Sequence, residues 1–328
     1  MQQSSQTEQT SGHKDSKADF PPTLPYRPLV TESDFLARLR RLPLHPGAHG
    51  LNDDSATLGP YTITTDTLVE GVHYLPTDPA DTVAWKLLAT NLSDLAAKGA
   101  TPVGVLLNYP LRRGAGDTEW DDAFLRGIAE ALRDFATPIL GGDTVSLQPH
   151  APRVLTLTAI GQSPRVPLRT GALAGDVLWV TGTIGDAGAG LRIAQGQPGP
   201  AELLNAYRRP RPRLTEGAAL APHVHAMMDV SDGLLIDASR MAAASRLAVT
   251  IDLATVPLSP EYRAFDGDQI AAATAGDDYE LLFAAPSDWT PPVAATRVGT
   301  FAQGEGLTLT DAGKPVILPK SLGFQHAT

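Results

Sequence analysis

The sequence predicts an α/β protein of the α+β kind, folded as two units of similar size. Three observations lead there. Short β-branched or apolar runs alternate with longer runs of helical periodicity in both halves of the chain. One stretch rich in proline and glycine, SPRVPLRTGALAGD at 163–176, interrupts that alternation near the middle. The length, 328 residues, suffices for two ordinary hydrophobic cores. The two units are expected at 29–162 and 163–328, after a disordered tail at 1–28 that is polar and closed by prolines 21, 22, 25 and 28.

Each element follows from its residues. TESDFLARLRRL (31–42) reads as a helix with Thr31 as its N-cap. After the loop PGAHGLNDDSA comes a strand through Thr62-Ile63-Thr64-Thr65, β-branched at every position and ending on Asp66. DTVAWKLLATNLSDLAAKGA (81–100) is a long helix, with Asp81 as cap and Gly99 as its C′ stop. A strand at 103–111, a helix within 118–135, a short strand PIL ending in GGDT and a strand at 153–162 complete the first unit. In the second, VLWVTG (177–182) feeds a Gly-rich helix entry, TIGDAGAGLRIA. The proline-arginine segment YRRPRPRL then leads to a short helix. Strand AMMDV (226–230), helix GLLIDASRMAAAS and strand LAVTIDL follow. AGDDYELLFAAP joins acids to the start of a strand.

Composition narrows the function. There are no cysteines, which excludes disulfides, thiolate nucleophiles and Cys-based zinc sites; with no apolar signal segment at the start, a cytoplasmic location is expected. The net charge of −10 argues against nucleic acid as partner, and no apolar stretch approaches a membrane span. An anionic substrate would meet this chain through divalent cations.

The acids fall in a pattern. Asp53 and Asp54 lie in a loop, Asp66 and Asp143 end strands, Asp229 and Asp232 straddle the end of another, and Asp277, Asp278 and Glu280 begin one. Asn91, Asp94 and Lys98 share one face of the long helix, while Leu88, Leu92 and Leu95 form another. A single such Asp is commonly a turn former or helix cap, as Asp232-Gly233 would be, and a polar stripe is commonly a solvated face. The joining of several acids to glycine or hydroxyl neighbours, in GGDT, TTDT and DVSDG, points instead to an oxygen-donor site. Such a donor set suits Mg²⁺, Mn²⁺ or Ca²⁺ over zinc. No EF-hand spacing, phosphate-loop G-x-x-x-x-G-K-[ST], G-x-G-x-x-G or G-x-S-x-G is present. VTGTIGDAGAGL reads as tight strand–helix packing, and His223 and His225 as ordinary histidines.

In order, LNDDSA, TTDTLVEGVHY, ATNLSDLAAKGATP, ILGGDT, VTGTIGDAGAGL, RRPRPRL, MDVSDGLLID and AGDDYELLF resemble the signature blocks of the thiamine-monophosphate kinase family. That family lies in the aminoimidazole-ribotide synthetase superfamily, the PurM-like fold. The resemblance runs from about residue 31 to 325. It implies a two-domain fold whose N-terminal sheet domain dimerises, and ATP-dependent phosphorylation of thiamine monophosphate to thiamine diphosphate with several Mg²⁺ ions. Asp54, Thr65, Asp66, Asp94, Asp143, Asp229 and Asp232 match metal positions, with Thr64 adjoining. Of these, Asp66, Asp143 and Asp232 are read as the catalytic acids. Gly142, Arg169 and Ser231 match nucleotide contacts, where Asp143 belongs as well. His73, Asp277 and Phe324 match contacts to the thiamine phosphate. Asn52 stands where the family often has Gly, and Asp277 where Glu is usual; Glu70 matches nothing and reads as a solvated acid. Other PurM-like ATP-using enzymes and a non-catalytic nucleotide- or metal-binding module are the alternatives.

Overall fold

The computed structural model describes residues 31–148 and 150–325. The tail at 1–28 lies outside them. Among the described residues the elements run α1 (Glu32–Leu39), β1 (Ala56–Leu58), β2 (Tyr61–Val69), α2 (Ala80–Ala97), β3 (Thr101–Leu111), α3 (Asp117–Asp134), β4 (Ile139–Ser146) and β5 (Val154–Gln162). They continue with β6 (Val177–Thr181), α4 (Asp186–Ala194), α5 (Ala201–Arg208), α6 (Leu214–Leu220), β7 (Ala226–Asp229), α7 (Leu234–Ser245) and β8 (Ala248–Asp252). The last are α8 (Pro260–Phe265), α9 (Gln269–Thr274), β9 (Leu281–Ala285), β10 (Ala295–Ala302), β11 (Gly306–Asp311) and β12 (Lys314–Val316).

The strands form two mixed sheets. The first has the order β1-β2-β5-β3-β4, antiparallel except for the β3–β4 pair. The second has the order β12-β11-β8-β10-β6-β9-β7, antiparallel except for β11–β8. Between them runs α2. Every residue of α2 except Asp81 and Thr82 is buried, as expected of a helix covered on all sides. Its Leu87, Leu88, Leu92 and Leu95 pack in the core of the first sheet, and Ala96 and Ala97 in a cluster with Leu220, Met227, Leu281 and Phe283 of the second. One helix thus belongs to both layers, and whatever polar groups it carries are held at their junction. Among the described residues no helix is long and apolar enough to cross a membrane.

Local chemistry sets the helix ends largely as expected. Thr31 caps α1 by accepting from the Asp34 N–H at 3.1 Å. Gly99, at φ +58°, stops α2 one residue beyond its C-cap. Asp81 lies in the first turn of α2 without capping it; Pro79 holds the cap position. The YRRPRPRL segment straps the two layers together. Arg209 and Arg211 lie over the Trp85 ring at 4.3 and 5.6 Å, and the indole N–H donates to the Pro210 carbonyl at 2.8 Å.

Three strand boundaries differ from the sequence reading. β2 continues past Asp66 to Val69, and β4 runs through Gly142 and Asp143 to Ser146, because each pairs with a neighbour along its whole length. Conversely, β9 starts only at Leu281. The residues before it form a turn with Asp277 at φ +71° and Tyr279 at φ +52°, which no strand accommodates. Glu70 is no solvated acid: its carboxylate accepts from Arg112 at 3.1 Å and from the Arg153 backbone N–H at 2.8 Å.

Candidate functional site

The polar stripe of α2 is the foundation. Asn91, Asp94 and Lys98 are buried, contrary to the solvated face that such a stripe commonly forms, because the second sheet covers the side that the first leaves open. Asn91 Oδ1 accepts from the Asp66 backbone N–H at 3.1 Å, which registers β2 on the helix. Thr64 and Asp66 alternate onto the face of β2 that meets α2. The Thr64 hydroxyl donates to the Asp94 carboxylate and lies 3.1 Å from the Asp54 carbonyl. Ser93 donates to Asp229 Oδ2, at the end of β7, at 2.5 Å. Lys98 Nζ lies 2.7 Å from Asp53 Oδ1, both side chains almost wholly buried, and also donates to the Met227 carbonyl. Helix, first sheet, second sheet and the 52–56 loop therefore meet at one place.

Two arginines complete it. Arg169 pairs with Asp54 through its guanidinium and donates its backbone N–H to Asp53 Oδ2 at 2.8 Å. Arg240 pairs with both Asp232 and Asp237. Asp232 does not cap α7: Gly233 holds the cap position with no side-chain bond, and Asp237 instead accepts from the N–H groups of Asp232 and Gly233 at 3.0 and 3.2 Å. The N–H of Phe324 donates to the Asp232 carbonyl at 2.9 Å, and that of Asp277 to the Ser231 carbonyl at 2.8 Å, so the C-terminal segment and the turn before β9 both seat on the DVSDG loop.

The electrostatics follow from packing acids out of water. Burial, then the neighbouring charges of Asp54 and Asp232, pushes Asp66 up to about 6. Burial and Asp54 push Asp229 up to about 8, against the opposing bond from Ser93. Asp94 is raised well above the usual carboxylate range by burial and by Asp66, Asp229 and Asp54. For Asp54 burial is again the largest influence, but Arg169, Lys98 and Arg240 together outweigh it and hold the carboxyl below its usual value. Among the described residues its Oδ2 is buried with no hydrogen-bond partner.

These donors fit a hard divalent cation: carboxylates and a hydroxyl, no sulfur, and one buried carboxylate oxygen left unpartnered. Among the described residues no three such groups close into a finished cage. That suits Mg²⁺, which keeps water and relies on substrate phosphates for part of its shell.

Beside the cluster lies a second group of residues. Lys86, in the buried run VAWKLL, donates to Asp277 Oδ2 at 2.7 Å and to the His73 carbonyl at 3.1 Å, and lies 4.2 Å over the Tyr207 ring. Tyr279 OH donates to the other oxygen of Asp277 at 2.9 Å. His73 Nδ1 accepts from the Val69 N–H at 3.0 Å. Lys86, Ser93, Asp237 and Arg240 were not singled out in the sequence; the one signal for Lys86 was a charge inside an apolar run.

Two expected residues stand apart within the chain. Thr65 alternates to the opposite face of β2, where its hydroxyl bonds the Leu157 carbonyl at 3.1 Å and receives one from Thr158. Asp143 lies on that same outer face of the edge strand β4, opposite Asn108 and three strands from β2, roughly 14 Å by inter-strand spacing. Gly142 is required where it stands: a Cβ there would lie 1.8 Å from the Leu107 carbonyl oxygen. The glycines of VTGTIGDAGAGL serve packing, and the Asp278 carboxylate takes the N–H groups of Gly185 and Ala187 at the start of α4. His223 lies against Trp289, and His225 bonds Asp176 at 2.9 Å.

The family profile described as AIR synthase related protein, N-terminal domain, matches residues 52–163, and its C-terminal counterpart matches 174–315. Thiamine-monophosphate kinase of Caulobacter vibrioides is 41% identical, covering 90% of this chain and 91% of its own. The chain belongs to the thiamine-monophosphate kinase family. The enzyme of the same name from Escherichia coli is 36% identical over 84% of this chain and 91% of its own. A solved structure of AaThiL complexed with AMPPCP and TMP superposes with a TM-score of 0.79 at 28% identity, covering 89% of this chain and 96% of that one. The family's two-domain PurM-like fold is the fold described above.

Proposed function

We propose that this protein transfers the γ-phosphoryl group of ATP directly to the phosphate of thiamine monophosphate, giving thiamine diphosphate and ADP. The observation that carries this reading is the gathering of Asp54, Asp66, Asp229 and Asp232, from both halves of the chain, about Asp94 of α2, in a chain of the thiamine-monophosphate kinase family. The domains divide between 162 and 163 in this reading, and α2 spans the seam.

The acceptor is a phosphate with a second pKa of about 6, so at pH 7 it is mostly a dianion and needs no general base. Repulsion between two anions is the obstacle. Mg²⁺, when bound, supplies the charge that offsets it and aligns donor with acceptor. Asp54, Asp66, Asp94, Asp229 and Asp232, with Thr64, are the residues that would hold it. Burial and the surrounding acids favour the protonated forms of Asp94 and Asp229 in the metal-free protein, and a bound divalent cation would favour their carboxylates instead. Arg169 and the Ser231 loop face the nucleotide, and His73, Asp277 and Phe324 the thiamine phosphate. Lys86 and Tyr279 position Asp277 from two sides.

The outer face of the first sheet, with exposed Leu106, Val145 and Val154, is the surface proposed for dimerisation. Gly142, Asp143 and Thr65 lie on or beside it, and in this reading they serve a site completed across that interface.

The test incubates the protein with ATP, Mg²⁺ and thiamine monophosphate and quantifies ADP and thiamine diphosphate, beside Asp232→Asn and a chelated control. Equal amounts of both products, lost in both controls, support the reading. ADP without thiamine diphosphate points to a phosphohydrolase or another acceptor, and neither product from folded protein points to a binding module.

A further inference from the structure

Arg240 has no part in the reaction as described, yet its guanidinium sits on the proposed metal cluster. It arises in the middle of α7 and reaches back eight residues to Asp232, ahead of the helix N-terminus. A cation there is disfavoured by the helix dipole, so the two carboxylates are what hold it. A single nitrogen, Nη1, bridges them.

The two partners are unequal. Asp237 is wholly buried, and its other oxygen accepts from the N–H groups of Asp232 and Gly233. Asp232 is about a quarter exposed at its side chain. Because one nitrogen serves both, Arg240 can release Asp232 and keep Asp237. A parallel exists at Asp54, which is paired with Arg169, whereas the deeper Asp94 and Asp229 bond only hydroxyls among the contacts above. Arginines thus guard the acids at the rim of the cluster.

We propose that Arg240 is a resident counter-cation that occupies Asp232 in the metal-free protein and competes with the divalent ion for it. This rests on the reading of Asp232 as a metal ligand. Arg240 is then a positioning residue that sets how strongly the protein takes up metal before nucleotide arrives.

The test follows free Mn²⁺ by electron paramagnetic resonance during titration at pH 8, with and without the non-hydrolysable nucleotide AMPPCP. It compares wild type, Arg240→Gln and Arg240→Lys. Without nucleotide, R240Q is expected to bind Mn²⁺ about tenfold tighter, the size of a half-buried ion pair between the exposed and buried extremes. R240K, which keeps the charge, is expected to follow wild type. Unchanged or weaker binding by R240Q overturns the proposal. If wild type binds no Mn²⁺ even with AMPPCP, the metal-site reading fails and takes this inference with it. Nuclear magnetic resonance of wild type gives a reading independent of the variants' folding: Mg²⁺ should move the Arg240 side-chain N–H resonance, and a resonance that stays put counts against the competition.

Discussion

Replacing Asp229 by Asn separates the stability of this protein from its chemistry. Asp229 is 3% exposed, and burial, with Asp54 and then Asp237 and Asp66 adding to it, lifts its carboxyl to about 8. In the unfolded chain the same group titrates near 3.8. Between these values the unfolded state has lost a proton that the folded, metal-free state still holds. Raising the pH therefore favours unfolding by about 1.4 kcal/mol per unit, and the effect levels off above pH 8. Asn mimics the neutral acid in shape, can accept the Ser93 bond through its own oxygen, and does not titrate. Metal-free D229N should thus gain on wild type by about 4 kcal/mol between pH 5 and pH 8, then run parallel to it. The assay is urea unfolding of both proteins in chelator from pH 5 to 9, with kinase activity in Mg²⁺ measured alongside. D229N should be the more stable protein at pH 8 and the less active one. A stability difference that is flat or shrinks with pH would refute the claim that Asp229 is held protonated by burial.

Three further outcomes are expected. Lys98→Met strands the buried Asp53 carboxylate, which keeps its bond from the Arg169 N–H; a loss of about 3 kcal/mol, the low end for a broken buried pair, should appear in urea titration, and less than 1 would contradict the pairing. Gly142→Ala places a methyl against the Leu107 carbonyl, so β3 and β4 must part; hydrogen exchange of β4 amides should speed at least tenfold while α7 is unaffected. Lys86→Met frees Asp277 and the His73 turn, and should raise KM for thiamine monophosphate about tenfold while that for ATP changes less than twofold. Equal effects on both would place Lys86 in general support of the fold.

The chain's local chemistry marked most of the elements, though not β1, α5, α8, α9 or β10 to β12, and several of their ends. Thr31 caps α1 because a hydroxyl at that position accepts a helix N–H, and Gly99 ends α2 because the turn there needs positive φ. The acids with their small neighbours pointed to an oxygen-donor site. What residue order left open is which surfaces become covered. Asn91, Asp94 and Lys98 form a polar stripe that would face water on a two-layer protein. Only the arrival of the second sheet, through residues more than 100 positions away such as Asp229 and Met227, makes it the buried floor of the site. Glu70 and Lys86 find partners far along the chain, Arg112 and Arg153 for the first and Asp277 for the second, while Arg240 pairs within its own segment, with Asp232 and Asp237. Pairing within the first sheet extended β2 and β4, since a strand lasts as long as a neighbour offers it hydrogen bonds. Periodicity tells which side chains share a face; folding alone decides what that face meets, and burial among other acids is what gives these carboxylates their chemistry.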